Sequence, residues 1–230
     1  MSIFGIADTH LSLSCNKPMD IFSGWADYEK RLEKHWRDIV NPEDIVVIAG
    51  DISWAMSLEE AKADFEFLNN LPGTKLISKG NHDYWWTTKK KMDEFLVANN
   101  FDTIKFIHNN SYTVGNFSIC ATRGWFFDCT EENDKKVLNR EIGRLVASIE
   151  DGIKDGKEPI VFLHYPPIYE EQICEGIYNV LVEYGIKRCY YGHLHGPSCK
   201  RALNGVSDGI KFSLISCDSV DFTPVLIEKL

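Results

Sequence analysis

Residues Asp44-Ile45-Val46-Val47-Ile48-Ala49-Gly50-Asp51 read as a short buried strand that stops on a carboxylate. The run is apolar, rich in β-branched side chains and of strand length, so its period is that of a strand buried in an α/β sheet. Gly50 lets the backbone come close to its neighbours just before Asp51.

Four further apolar runs end in the same manner. Ser2 to Ala7 leads into Asp8-Thr9-His10, and Thr74 to Ser78 into Gly80-Asn81-His82-Asp83. Pro159 to Leu163 leads into His164, and Lys187 to Tyr191 into Gly192-His193-Leu194-His195. Ligands in α/β sheets collect outside the carboxyl ends of strands. Clusters spread over nearly the whole sequence can therefore meet in one place. A single Asp or Asn after a strand is ordinarily a turn residue or a helix cap. Here the clusters hold five of the seven histidines, and only His35, in a helical stretch, and His108, at a strand end, lie outside them.

Carboxylate, carboxamide oxygen and imidazole suit divalent first-row metals. No cysteine lies in the clusters, which argues against a structural thiolate zinc site. Asp8, His10, Asp51, Asn81, His164, His193 and His195 are too many ligands for one ion with an open position. They suit two ions about 3.5–4 Å apart sharing a bridging carboxylate. Asp51 is the natural bridge, since a carboxylate has two oxygens to share.

In this order, D-x-H, G-D, G-N-H-D, H and G-H-x-H, the blocks resemble the calcineurin-like metallophosphoesterases from Asp8 to His195. The resemblance implies a four-layer α/β sandwich: two facing mixed β-sheets flanked by helices. It implies one metal held by Asp8, His10, Asp51 and His195, and a second held by Asp51, Asn81, His164 and His193. The two divalent ions would be drawn from Mn, Fe, Zn, Ni and Co. His82 matches the family's catalytic histidine, beside the substrate and not a ligand; Asp83 would orient that loop. The implied reaction is hydrolysis of a phosphate ester by a water activated between the ions, with His82 serving the leaving oxygen. In one respect the chain departs from the Ser/Thr protein phosphatases. They follow the bridging Asp with a further Asp-Arg pair, whereas those positions here are Trp54 and Ala55.

Aromatic residues follow the blocks closely: Trp54, Tyr84, Trp85, Trp86, Trp125 and Tyr165. Flat leaving groups stack on such rings, and Trp54 is the candidate substrate contact among them. Arg123 ends a strand and opens a polar-aromatic stretch to Asp134. It is a candidate phosphate contact or a surface ion pair.

The chain of 230 residues fits one large α/β domain, residues 1–230, with a sizeable core. Seven cysteines without regular spacing read as free thiols. No signal-peptide pattern opens the chain and no apolar run has membrane-spanning length. A cytoplasmic protein with no membrane partner is expected. A net charge of −9 without a basic run disfavours broad nucleic-acid binding. The expected partner is a small phosphorylated substrate, cleaved as a monoester or diester. A nuclease and a catalytically silent scaffold on the same fold are the alternatives; the scaffold reading expects lost ligands, and here the full set is present.

Between the blocks, Trp25, Tyr28, Leu32, Trp36 and Ile39 recur at helical spacing. Ser57-Leu58-Glu59-Glu60 reads as a capping box, with Leu58, Ala61, Phe65 and Leu68 on the inner face of the helix that it opens. Leu138 to Ile149 and Ile173 to Tyr184 give two more helices. Strands are expected near 104–107, 111–114, 117–121, 210–216 and 222–227, with Val114-Gly115-Asn116-Phe117 as a hairpin turn.

Overall fold

A computed structural model describes residues 1–125 and 132–230. The first part of the chain runs β1 (Ser2–Ile6), α1 (Tyr28–Ile39), β2 (Ile45–Ala49), α2 (Lys62–Asn69), β3 (Thr74–Ser78), α3 (Lys89–Ala98) and β4 (Ile104–Phe106). The second runs β5 (Ser111–Val114), β6 (Phe117–Thr122), α4 (Glu132–Ile153), β7 (Glu158–Leu163), β8 (Ile168–Tyr169), β9 (Gln172–Ile173), α5 (Glu175–Glu183), β10 (Arg188–Tyr191), β11 (Gly205–Ser207), β12 (Ile210–Leu214) and β13 (Val225–Lys229).

Two large mixed sheets result. The first has the order β13-β1-β2-β3-β4 and the second β11-β12-β10-β7-β6-β5. In the first sheet β1 to β4 are parallel and β13 joins β1 antiparallel. In the second, β12, β10, β7 and β6 are parallel, with antiparallel edges at β11 and β5.

Alternation along each strand builds the layers. Ile3, Val47, Ala49 and Leu76 face Ile119, Ile160, Phe162 and Ile215 across the space between the sheets. Phe4, Ile6, Val46, Ile48 and Ile77 point the other way and are covered by Leu32, Trp36, Phe65 and Phe95. On the outer face of the second sheet, Val161, Leu163, Cys189 and Phe212 pack under Leu145, Ile149, Ile177 and Leu181. This is the α/β sandwich with its four layers. At its carboxyl edge the sheets are stitched together: Ala7 N–H donates to Ile215 O (2.8 Å) and Cys217 N–H to Ala7 O (2.9 Å).

Several local expectations need adjustment. Trp25 precedes α1, which begins at Tyr28. Ser57 Oγ accepts from Glu60 N–H and the Glu60 carboxylate from Met56 N–H, so that pattern closes a turn, and α2 starts at Lys62. Ile173 lies in β9 and α5 starts at Glu175. Helix α4 begins at Glu132, within the polar-aromatic stretch that Arg123 opens, of which residues 126–131, with Cys129, lie outside the described residues. Helix α3 was not expected; Thr88 caps it by accepting from Lys91 N–H (3.4 Å).

Candidate metal centre

The loops after β1 and β2 continue the parallel ladder past the strands themselves. Asp8 N–H donates to Gly50 O (2.9 Å), His10 N–H to Asp51 O (3.0 Å), Leu11 N–H to Ile52 O (2.9 Å) and Trp54 N–H to Leu11 O (3.0 Å). The continuation passes through left-handed backbone at Asp8, His10 and Asp51, with φ of 61°, 43° and 52°. That conformation is unfavourable for residues with a Cβ and persists where the surroundings over-determine it. It turns the three side chains inward together. Gly80 makes the approach of the next loop possible: a Cβ there would lie 2.1 Å from Asp51 Oδ1.

Asp83 fastens these loops. Its buried carboxylate accepts from Gly80 N–H (2.7 Å), Asp51 N–H (3.0 Å), Ile52 N–H (2.8 Å) and Trp85 Nε1–H (3.1 Å). Burial and the nearby Asp51 push its pKa up, to about 7, and the backbone donors oppose the rise. Every partner is a donor, so the geometry accommodates the anion. Asp83 therefore ties the loop after β3 to the loop after β2.

The structure brings together all seven residues proposed as ligands. His10 Nε2 lies 3.3 Å from His195 Nε2, 3.8 Å from Asp51 Oδ2 and 4.0 Å from Asp8 Oδ1. His195 Nε2 lies 3.5 Å from Asp8 Oδ1. His164 Nε2 is 2.7 Å from Asn81 Oδ1 and 3.4 Å from Asp51 Oδ2, and His193 Nδ1 is 3.0 Å from the same Asn81 oxygen. Two overlapping triads, Asp8-His10-His195 and Asp8-Asp51-His164, each have ligand atoms within 4.8 Å of one another. Asp8 belongs to both triads, so it shares the central position with Asp51.

These residues fit a divalent cation. His164 Nδ1 faces Ala49 O (3.2 Å) and donates there, which leaves a lone pair on Nε2. That lone pair meets the carboxamide oxygen of Asn81 with no hydrogen to share. Asp8 Oδ1, fully buried, has no hydrogen-bond partner. His195 is held by Asp218, whose Oδ1 is 2.9 Å from Nδ1 and whose Oδ2 accepts from Gly196 N–H (2.8 Å). A carboxylate behind an imidazole fixes the tautomer that offers Nε2. Asp218 was missed in the sequence, although it stands just past a predicted strand, as the other cluster residues do.

The electrostatics agree. Burial and the charge of Asp8 push Asp51 up, to about 8. Burial alone would raise Asp8 too, but His195, His164 and His10 outweigh it and hold Asp8 well below the carboxylate range. Burial pushes His10 and His193 down, to about 3. It also opposes protonation of His195, but Asp8 and Asp218 raise that residue to about 10.

A stability test follows for protein stripped of cations. Above about pH 7 the low-pKa histidines are neutral both folded and unfolded and contribute no slope. Asp51 and His195 keep protons in the folded chain that the unfolded chain has released or is releasing, so stability falls as pH rises toward 8. These two groups contribute a loss on the order of 2 kcal/mol between pH 7 and 8, which buried Lys75, pushed down by burial to about 7, partly offsets because the unfolded chain keeps the proton that the folded chain releases. Divalent cations compete with those protons, so their stabilising effect should grow over the same interval. Thermal melts at the two pH values, with chelator and with Mn²⁺, check both signs.

His82 stands at the rim of the cluster, half-buried. Its N–H donates to Asp51 Oδ1 (2.8 Å), which fixes the loop, while the ring lies beside Trp54 at 4.4 Å between centroids and 3.3 Å from Tyr84 OH. Trp54 also stacks on His10, 4.9 Å away at 20°. Together they face a cavity of about 440 Å³ with Met19, Phe22, Trp25 and Pro197 in its walls. Arg123 does not reach that cavity. It lies past the end of β6, where its guanidinium pairs with buried Glu141 (3.4 Å) instead of forming a surface ion pair. His35 and His108 are outside the cluster; His35 Nδ1 is 2.9 Å from Asp221 O.

A family model described as calcineurin-like phosphoesterase matches residues 1–197. The chain belongs to the calcineurin-like phosphoesterase family. The match includes all seven clustered residues and His82, and stops short of Asp218. An uncharacterised protein of Methanocaldococcus jannaschii is 34% identical over 121 residues, 49% of this chain and 62% of that one. The chain thus spans under two thirds of that relative. Its fold is similar to that of TT1561 from Thermus thermophilus, with a TM-score of 0.60, 12% identity and coverage of 98% and 97%. It is also similar to that of the phosphopantetheinyl hydrolase PptH from Mycobacterium tuberculosis, with a TM-score of 0.57, 13% identity and coverage of 100% and 95%. At such identity these likenesses concern the fold. Members of the family use divalent metals, and among the described residues no helix is long and apolar enough to cross a membrane.

Proposed function

We propose that this member of the family hydrolyses the phosphate ester of a small molecule at a site for two divalent cations, and that residues 1–230 act as one catalytic domain. The observation that carries the reading is the convergence of lone pairs from Asp8, His10, Asp51, Asn81, His164, His193 and His195, with His82 at the rim and free of the cluster. Asp8, His10, Asp51 and His195 would hold one ion, and Asp51, Asn81, His164 and His193 the other. Bound there, the cations supply positive charge for the phosphoryl oxygens and acidify the attacking water.

The remaining work falls to the chain. Asp83 and Gly80 hold the two central loops in contact, so Asp51 keeps its place between the two groups of histidines. Asp218 keeps the Nε2 lone pair of His195 turned inward. His82, beside the open cavity, is placed to give a proton to the leaving oxygen. A silent scaffold has no use for this arrangement, and a net charge of −9 without a basic run disfavours a long nucleic acid. The test is a panel of phosphomonoesters, phosphodiesters, cyclic nucleotides and a phosphopeptide, with Mn²⁺, Zn²⁺, Ni²⁺, Co²⁺ and Mg²⁺ added singly to stripped protein. No hydrolysis under any condition would overturn the proposal.

The cavity also sets an expectation on substrate. Its walls near His82 are Trp54, Met19, Phe22, Trp25 and Pro197, and no Lys or Arg lines it among the described residues. A flat, uncharged leaving group can stack on Trp54, whereas a phosphoserine peptide finds no Asp-Arg clamp. Aryl or nucleotide-like esters should exceed the phosphopeptide in kcat/KM by about tenfold or more. The reverse preference, measured with the same cation, would remove Trp54 from substrate recognition.

A further inference from the structure

A second cavity, of about 380 Å³, opens on the opposite flank of the site, its lining including Lys79, Trp86, Thr88, His108, Arg123 and Arg144. Strand order sets this arrangement. Trp54, His10, His195 and Asp218 follow β2, β1, β10 and β12, whereas Lys79 and His108 follow β3 and β4, and Arg123 follows β6. The two cavities therefore sit toward opposite ends of two facing rows of strand ends, with His164, which follows β7, between β10 and β6 in the second row.

This cavity has too many donors. Glu141 is its one carboxylate among the described residues, buried and already accepting from Thr122 Oγ1 (2.7 Å), Arg144 Nη1 (2.7 Å) and Arg123 Nη2 (3.4 Å). One negative charge is thus divided between two guanidinium groups. Lys79, half-buried, has no hydrogen bond or ion pair among the described residues. Arg123 Nε is buried and lacks an acceptor, although its guanidinium lies over the Trp125 ring at 4.7 Å. Buried donors without acceptors are costly, and the one carboxylate in the lining is taken up by the two guanidinium groups, which leaves Lys79 without a partner there.

We infer that this cavity is an oxyanion pocket, taking a phosphate or carboxylate group between Lys79, Arg123 and Arg144. An oxyanion would give Arg123 Nε and the Lys79 ammonium the acceptors they lack, through charge-assisted hydrogen bonds. Two sources have this chemistry: a second anionic group carried by the phosphoester substrate, or a free anion. Only the first rests on the function proposed above. It would make the enzyme selective for esters with two anionic groups, one presented to the metal cluster and one lodged beyond β3.

Sulfate tests the pocket without turnover. Calorimetric titration should show one saturable site in protein as purified and in protein stripped of cations. Lys79→Met and Arg144→Gln should each weaken it about tenfold or more, and His82→Ala should leave it within about twofold. Arg144 is partly exposed, so its variant keeps the test valid if Lys79→Met fails to fold. Absence of saturable binding would overturn the inference. So would binding that needs cations and survives both pocket substitutions, since the sulfate would then occupy the metal cluster. The sources separate in kinetics. If Arg144→Gln lowers kcat/KM only for an aryl phosphate bearing a second phosphate or carboxylate, the pocket holds part of the substrate. If it lowers sulfate affinity and leaves both esters alike, the pocket serves a free anion. The titration decides the pocket even if no ester is hydrolysed.

Discussion

Asp51→Asn should make the cation-free protein more stable while abolishing its response to cations. The asparagine oxygen can still accept from His82 N–H, so the loop keeps its shape. The substitution removes the like-charge conflict with Asp8, which together with burial pushes Asp51 up to about 8. It also removes the anion that lies 3.4 Å from His164 Nε2 and 3.8 Å from His10 Nε2, at the junction of both proposed ion sites. A cation present at a hundred times its dissociation constant stabilises by about 2.7 kcal/mol. For a chain of this size that is roughly 5–10 °C in Tm. Wild type should show this rise on adding Mn²⁺ and the variant should not. Elemental analysis should find both ions depleted and hydrolysis should fall to background. A variant that retains a full complement of metal would show that Asp51 is not the bridge, and Asp8, which shares both triads, would be the next candidate.

His82→Ala should separate binding from chemistry. The ring makes no contact through which a cation would be lost; its neighbours are Trp54, His10 and Tyr84. Metal content and the Mn²⁺-dependent rise in Tm should therefore be unchanged. The rate constant kcat should drop by roughly 10²–10⁴ on an alkyl phosphate, whose leaving oxygen needs a proton. On p-nitrophenyl phosphate the fall should be smaller, because that leaving group departs as the anion. Equal kcat for variant and wild type on the alkyl ester would take His82 out of the mechanism.

Much of this was legible in the chain because strands and strand ends obey local rules. The run from Ile45 to Ala49 alternates between two apolar layers, and the polar cluster after it lies at a sheet edge wherever the strand is placed. What could not be read depends on long-range geometry. Nothing near Asp83 says that its acceptors will be filled by N–H groups of Asp51 and Ile52, thirty-odd positions earlier. The left-handed backbone at Asp8, His10 and Asp51 is uncommon even for aspartate and histidine, which adopt it more readily than most, so residue type alone does not announce it. Asp218 acquires its role only through the Nδ1 of His195. Helix α3 buries just Met92, Phe95 and Leu96, too short a stripe to stand out beside three lysines.

The pairing of β1 with β13 has a consequence for how the site comes into being. Strand β1 carries Asp8 and His10 at its exit, yet it becomes an interior strand only when residues 225–229 arrive beside it. Until then one whole edge of β1 offers unsatisfied backbone groups in an apolar setting, the state in which strands recruit wrong partners. Contacts so distant along the chain form late and slowly. The strand that carries the first two cluster residues thus depends for one whole edge on residues 225–229, far from it along the chain.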